Sequence, residues 1–350
     1  MRKQLLLLLL TFLMTAPVLA QQTKPTPTPT PTPEEIIEDD EPLKIEADVV
    51  NTLFTATDKD RRFLTNLTKG DVKIYEDDKP QEIFAFQRQV DLPLSLAILI
   101  DTSSSQERTL PEEKTAAMAF VEDVIRENKD EVAVLTFTGE ATLEQGLTGN
   151  ISRLRRAIEK IKFIPPSGYA GGGVVIGSPP ISGRNQAIAG STAIWDAIYV
   201  TSDEVLRDTP EQTRRAIILM SDGVNTYGGK FDDAVKQALK NDVVIYSVGI
   251  GDNFYSGVDE RSLKQVSEKT GGRAFFPRNE LELQRAFAQI QIELRSQYLI
   301  AYQPTNERKD GSYRNIKIEI TNPDLQKQKA KLTYRQGYFA KAPTPNAPKK

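Results

Sequence analysis

Asp101, Ser103 and Ser105 stand at alternate positions directly after the apolar run 94–100. One carboxylate and two small hydroxyls at that spacing present oxygen donors, the kind a hard divalent cation prefers. An apolar run this short, ending abruptly in polar residues, reads as a buried parallel strand. Its carboxyl end is where open α/β sheets place their ligand sites. Taken alone, D-x-S-x-S is a weak signal whose ordinary reading is a helix N-cap. Two later stretches shift the balance. Gly190-Ser191-Thr192-Ala193 opens a helical run with a threonine hydroxyl, and Met220-Ser221-Asp222-Gly223 closes the apolar strand 216–220 with a second carboxylate. Three strand–helix junctions thus offer oxygen, with Gly190 and Gly223 permitting tight turns beside them.

In this arrangement the chain resembles the von Willebrand factor type A family. That family's metal-ion-dependent adhesion site is D-x-S-x-S, then a threonine in a second loop, then an aspartate in a third. The resemblance covers about residues 92–296 and puts these positions at Asp101, Ser103, Ser105, Thr192 and Asp222, all five intact. Softer signals flank it: Gly70-Asp71-Val72-Lys73-Ile74-Tyr75-Glu76-Asp77 before, and Ser296-Gln297-Tyr298-Leu299-Ile300-Ala301-Tyr302 with Gly337-Tyr338 after. These look like a bacterial, secreted subfamily. The resemblance implies one bound Mg²⁺, or Mn²⁺ or Ca²⁺ in its place, with some carboxylates acting through water so that one octahedral position stays open. An Asp or Glu carboxylate of a partner protein would complete it, making the chain a metal-dependent protein-binding module.

Composition removes competing readings. The 350 residues include no His and no Cys. The commonest general base, disulfides and thiol chemistry are therefore absent. A net charge of -3 provides no basic field for nucleic acid. A Mg²⁺-dependent hydrolase with Asp101 or Ser103 as nucleophile is the enzymatic alternative. No G-x-S-x-G elbow supports it, and no Lys or Arg stands within the three donor motifs. The expectation is a non-enzyme; a scaffold with a structural or empty site is the third reading.

The remaining elements position these donors. Residues 1–20 have the charged, apolar and small-residue regions of a secretory signal peptide, cleaved after Ala20, with an uncleaved anchor as the alternative. No other run is apolar enough to span a membrane, so a secreted or periplasmic protein is expected. Residues 21–42 form a linker: Pro alternates with Thr over 23–33, favouring an extended spacer. Six carboxylates follow in the eight positions 34–41, reading as a solvated continuation or, alternatively, a partner-binding acidic segment. Over 43–91 the pattern has period two, at Leu43, Ile45, Ala47 and Val49 and again at Val72 and Ile74, with turns at 58–60 and 77–80. The same period returns over 297–340 at Tyr298, Ile300, Tyr302, Ile316, Ile318, Ile320, Leu332 and Tyr334, with turn regions at 306–311 and 321–324. The two β segments are expected to pair into one small sandwich, with a doubly wound, mainly parallel α/β domain, 92–296, inserted between them; two separate β modules are the competing arrangement. Within that domain helices are expected at 110–127, 151–161, 193–206, 231–239, 262–270 and 281–294, and strands at 132–137, 216–220, 243–248 and 274–276, with an antiparallel edge strand at 141–147. Residues 163–190, rich in Pro and Gly, read as a specificity loop or an insertion beside the metal face. Trp195 reads as sheet packing, Asp196, Asp232 and Asp233 as solvated or capping positions, and Asn225, Tyr227, Asn253 and Phe254 as loop residues able to line a binding face. The tail 341–350 is expected to fray.

Overall fold

The computed structural model describes residues 49–89, 92–163, 165, 191–210, 213–251 and 257–342. The expected signal peptide and linker, the alternation at Leu43–Ala47, Asn253, Phe254, most of the 163–190 loop and most of the tail lie outside the described residues. The chain enters as β1 (Val50–Thr57), and a 3-10 turn at Lys69–Asp71 leads into β2 (Val72–Glu76). Asp77 and Asp78, with φ of 46° and 62°, make a two-residue turn into β3 (Lys79–Gln81). Positive φ at both central residues is the hairpin geometry whose twist matches its strands. After β4 (Ile83–Gln89) come β5 (Leu94–Asp101), α1 (Leu110–Val124), β6 (Glu131–Phe137), β7 (Ala141–Thr148), α2 (Ile151–Lys160) and α3 (Ile194–Val200). Next stand β8 (Arg214–Ser221), α4 (Phe231–Lys240), β9 (Val243–Gly249), α5 (Glu260–Thr270), β10 (Ala274–Phe275) and α6 (Glu280–Arg295). The chain closes with β11 (Gln297–Tyr302), β12 (Tyr313–Ile320), α7 (Pro323–Lys327), β13 (Lys331–Tyr334) and β14 (Gly337–Phe339).

β5 is buried at all eight positions because it lies inside a six-stranded sheet of order β10-β9-β8-β5-β6-β7. Every pairing is parallel except β6 with β7, which makes β7 an antiparallel edge. Successive side chains point to opposite faces of a strand. Leu94, Leu96, Ile98 and Ile100 therefore join the core under α1 and α6, whereas Ala97 and Leu99 join the core under α3 and α4. This is the α/β fold expected from the alternation of apolar runs. The segment 193–206 is not one α-helix: it changes to a π-helical turn over Thr201–Val205.

The flanking β segments form two four-stranded sheets, β13-β1-β11-β4 and β14-β12-β2-β3. Each sheet draws strands from both ends of the chain. β11 pairs with β1 on one side and β4 on the other, and β12 pairs with β2. The apolar faces meet in one core, where Phe54 of β1 stacks on its cross-strand partner Tyr298 with ring centroids 5.2 Å apart and Phe86 of β4 packs against both. Two elements escaped the period-two reading. Asn322, whose side chain accepts the Asp324 amide, and Pro323 start the short α7 where only a turn was expected, a capping residue followed by a helix-compatible proline. β14 is three residues long and too short to show a period.

One polar cluster pins the two sheets. Glu76 of β2, 2% exposed, accepts Arg314 Nη1 at 3.2 Å, Tyr302 Oη at 2.9 Å and Tyr338 Oη at 2.8 Å. Tyr302 comes from the opposite sheet, and burial, followed by the charge of Glu76, raises its phenol above the ordinary range. Removing one member of a buried ion pair strands the other charge. Glu76→Ala is accordingly expected to lower the unfolding free energy by about 3–5 kcal/mol, and Tyr302→Phe by only about 1 kcal/mol. Equilibrium denaturation of the two variants measures the difference, and equal losses would contradict it.

Candidate metal centre

Asp101 ends β5 fully buried, and its neighbour Thr102 fastens the following loop to the next strand. The Thr102 amide and hydroxyl both donate to the Phe137 carbonyl, at 2.9 and 3.2 Å. Ser103 N–H donates to Asp101 Oδ1 at 2.9 Å, so the loop turns back on the carboxylate that opens it. The turn brings the Ser103 and Ser105 hydroxyls within 3.1 Å of one another, and Gln106 Nε2 donates to Ser105 Oγ at 3.3 Å. Asp222 follows the last residue of β8, the strand beside β5. Its Oδ1 accepts the Val224 amide at 3.0 Å and its carbonyl accepts the Asp259 amide at 2.7 Å. Gly223 makes this turn at φ 83°, where a Cβ would meet Leu263 Cγ at 2.8 Å. Glycine is required there on both counts.

Thr192 reaches the same end of the sheet through its backbone. Its amide donates to Thr226 Oγ1 at 2.8 Å, its carbonyl accepts the Thr226 and Tyr227 amides, and the Ala193 amide donates to the Thr138 carbonyl at 2.7 Å. The second loop is thus tied to the end of β6 and to the Asp222 loop. Asp101, Ser103, Ser105 and Asp222 form one electrostatic and hydrogen-bonded group. The Thr192 hydroxyl stands at the same edge of the sheet without a hydrogen bond to any of them.

The electrostatics of this group call for a cation. Burial, and then the charge of Asp222, pushes Asp101 up to about 7, against the opposing effect of Ser103 and Ser221. Burial raises Asp222 as well, and the Val224 amide and Ser105 moderate the rise. Two carboxylates held close and out of water disfavour their charged forms, and a divalent cation between them removes that penalty. The donors are all oxygen, which suits Mg²⁺, Mn²⁺ or Ca²⁺. Among the described residues no three His, Cys, Asp or Glu side chains gather as a metal cluster. The set present is two carboxylates completed by hydroxyls, and Asp101, Ser103, Ser105, Thr192 and Asp222 are the residues that would hold an ion.

Two participants escaped the sequence reading. Ser221, just before Asp222, donates its hydroxyl to Asp101 Oδ2 at 2.7 Å and accepts the Gly223 amide at 3.1 Å, so it ties the Asp101 carboxylate to the Asp222 loop. Glu113 of α1 is fully buried with neither carboxylate oxygen hydrogen-bonded, and burial pushes it up to about 8. The charges of Asp101 and Asp222 raise it further, while nearby Thr109, whose hydroxyl is committed to Gln106, tempers the rise. A signal existed: Glu113 lies three and four positions before Ala116 and Ala117, on the helix's apolar stripe. Trp195 packs edge-on against Phe231 with centroids 5.0 Å apart, in the core beneath α3 and α4. Asp232 and Asp233 are exposed in the first turn of α4. Asn225 takes the Trp195 amide at 3.3 Å, and Tyr227 is exposed beside it.

Two family models, both described as the von Willebrand factor type A domain, match this chain, one over residues 96–225 and one over residues 182–289. No curated protein matches. Among solved structures, proximal thread matrix protein 1 from the mussel byssus is similar at 19% identity, over 63% of this chain and 51% of that one, with a TM-score of 0.47. The chain therefore spans about half the length of that protein. A further structure of the same mussel protein, with zinc occupying its MIDAS motif, is similar at 16% identity over 59% of this chain and 49% of that one, TM-score 0.45. A von Willebrand factor type A protein from Catenulispora acidiphila is similar at 13% identity, over 75% of this chain and 74% of that one, TM-score 0.44.

The raised carboxyls carry a sign. Asp101 and Glu113 hold protons in the native state that the unfolded chain releases above its ordinary carboxyl range. Their contribution to the stability of the metal-free protein is therefore full below about pH 4, falls as pH rises from there, and levels off above about pH 7–8. Glu113→Gln is expected to flatten that slope by up to about 1.4 kcal/mol per pH unit, the value of one proton. Thermal unfolding in chelator between pH 5 and 8 reads it, and an unchanged slope would remove Glu113 from the account.

Proposed function

We propose that this chain, which carries a von Willebrand factor type A domain, is a secreted or periplasmic, non-enzymatic module that binds a partner protein through one divalent ion. The observation that carries this reading is the convergence of two buried, pKa-raised carboxylates with the Ser103 and Ser105 hydroxyls at the carboxyl end of the central sheet. When bound, a cation there supplies an electrophilic position for an Asp or Glu carboxylate of the partner. Asp101 and Asp222 offset its charge, and Ser103, Ser105 and Thr192 add neutral oxygens, so the set retains affinity for a further anion. Ser221 and the Val224 amide orient the two carboxylates. Exposed Val224 and Tyr227, in the Asp222 loop, face the solvent from which a partner would arrive.

The flanking motifs at 70–77 and 296–302 support assignment to a bacterial secreted subfamily, and the apolar leader 1–20 supports export. Among the described residues no helix is long and apolar enough to cross a membrane. The mussel relative's zinc-occupied MIDAS motif is consistent with an ion on this donor pattern; the donors here, all oxygen, suit Mg²⁺, Mn²⁺ or Ca²⁺.

Calorimetric titration of Mg²⁺ and Mn²⁺ is expected to show one saturable site, weakened at least about a hundredfold, or roughly 3 kcal/mol, by Asp101→Ala and by Asp222→Ala. Retention on a polyglutamate matrix should require the metal and be released by chelator. Metal binding without such retention would sink the carboxylate-capture reading, and no metal binding by the wild type would sink the whole of it.

A further inference from the structure

At the end of the sheet opposite the candidate metal centre lies a cavity of about 370 Å³. Its floor follows from strand periodicity. Thr52 and Phe54 of β1 and Tyr298 and Ile300 of β11 point into the sandwich, so Leu53 and Leu299 point out of it. The two leucines are direct cross-strand partners, and Gln87 of β4 pairs with Leu299 on the other side, which makes one row across three strands. An outward sheet face normally meets water and carries polar residues. Here both leucines are only half-buried and line the cavity, whose opposite wall is the amino ends of β8 and β9 with Leu294 at the end of α6. The whole length of β8 separates this wall from Asp222.

The charged groups of the lining are unbalanced. Among the described residues it carries Arg214, Arg215 and Arg335 and one acid, Asp242. Asp242 is paired with Arg335 Nη1, and Arg335 Nη2 donates to the Asn51 carbonyl at 2.6 Å. The hydrogen bonds of Arg215 go to the Thr209 hydroxyl and to the carbonyls of Thr209, Pro210 and Asn241, all uncharged. Gln297 Oε1 and Arg335 Nε, both in the lining, are buried without a hydrogen-bond partner, and Gln297 is 4% exposed. Buried donors and acceptors in native structures are almost always satisfied, by protein, by water or by a bound molecule. The volume falls in the range of small-molecule sites, which combine apolar walls with a few convergent polar groups.

We infer that this cavity binds a small organic anion with an apolar body, an alkyl or aryl carboxylate, whose body rests on Leu53 and Leu299 and whose head meets the arginine-rich side. The charge excess selects an anion over a cation, and the leucine row selects an apolar body over a free inorganic ion. This site is independent of any metal at Asp101, so chelator leaves it intact.

The test uses the whole chain in chelator with three probes of one body, decanoate, decanol and decyltrimethylammonium, each below its micellar concentration. Decanoate is expected to bind at one saturable site at least about tenfold more tightly than decanol and to raise the thermal midpoint, with no saturable binding of the ammonium. Leu53→Trp, which fills the floor, should weaken decanoate at least about tenfold, and Arg335→Gln should bring decanoate and decanol to similar affinities. Magnetic resonance of the wild type provides a readout that does not depend on either variant folding: contacts between the decanoate chain and the Leu53 and Leu299 methyls are expected. Absence of saturable decanoate binding, equal binding of decanol, or ligand contacts elsewhere would each overturn the proposal.

Discussion

Burial of Asp101 at the end of the central strand is the constraint on which the rest of the molecule turns. A lone carboxylate there would sit in its neutral form, because nothing in an apolar sheet compensates its charge. The fold instead surrounds it with groups from two chain segments: the Ser103 amide from its own loop and, from the end of β8, the Ser221 hydroxyl and a second buried acid, Asp222. The amide and hydroxyl favour ionisation and the second acid opposes it, so the group as a whole is suited to a divalent cation. The strand order serves this arrangement. β8 lies beside β5, so their loops open side by side, and the carbonyls of Phe137, which ends β6, and of Thr138 after it hold the first and second loops to the same end of the sheet.

How much of this is legible in the sequence depends on whether the signal is local. β5 is apolar at six of the seven positions 94–100 and can be read at once, as can the helical spacing of Ala116, Phe120 and Val124. The donors Asp101, Ser103, Ser105 and Asp222 stand at strand ends, where a change from apolar to polar marks a loop, and the structure does bring these four together. Thr192 is legible as a loop donor, but its distance from the others depends on backbone bonds to Thr138 and Thr226 that no spacing encodes. Glu113 goes unnoticed because a single acid among apolar helix positions is easily taken for surface. Ser221 looks like the tail of a strand, and only the neighbouring position of β5 makes it a partner of Asp101.

The β segments show the same division. Alternation marks strands but does not choose their partners, and the pairing of β1 with β11 joins residues more than 200 positions apart. The half-buried Leu53 and Leu299 are each unremarkable in sequence, since isolated apolar residues on outward faces are common. Their adjacency exists only after the two strands pair. The cross-sheet pin of Glu76, Arg314 and Tyr302 is equally non-local, since it joins β2 and β12 of one sheet to β11 of the other.

The pairing of β4 with β11 has a mechanical meaning. The α/β part leaves the sandwich after β4 and returns in β11, and these two strands are antiparallel neighbours along six residue pairs. Its two connections to the rest of the chain are therefore clamped together at the base. Tension applied through residues 49 and 342 pulls first on sandwich strands, and the β4–β11 ladder must be unzipped before any of that load reaches the strands bearing Asp101 and Asp222. The end of the sheet that carries Asp101 and Asp222 is thereby shielded from load applied through the sandwich.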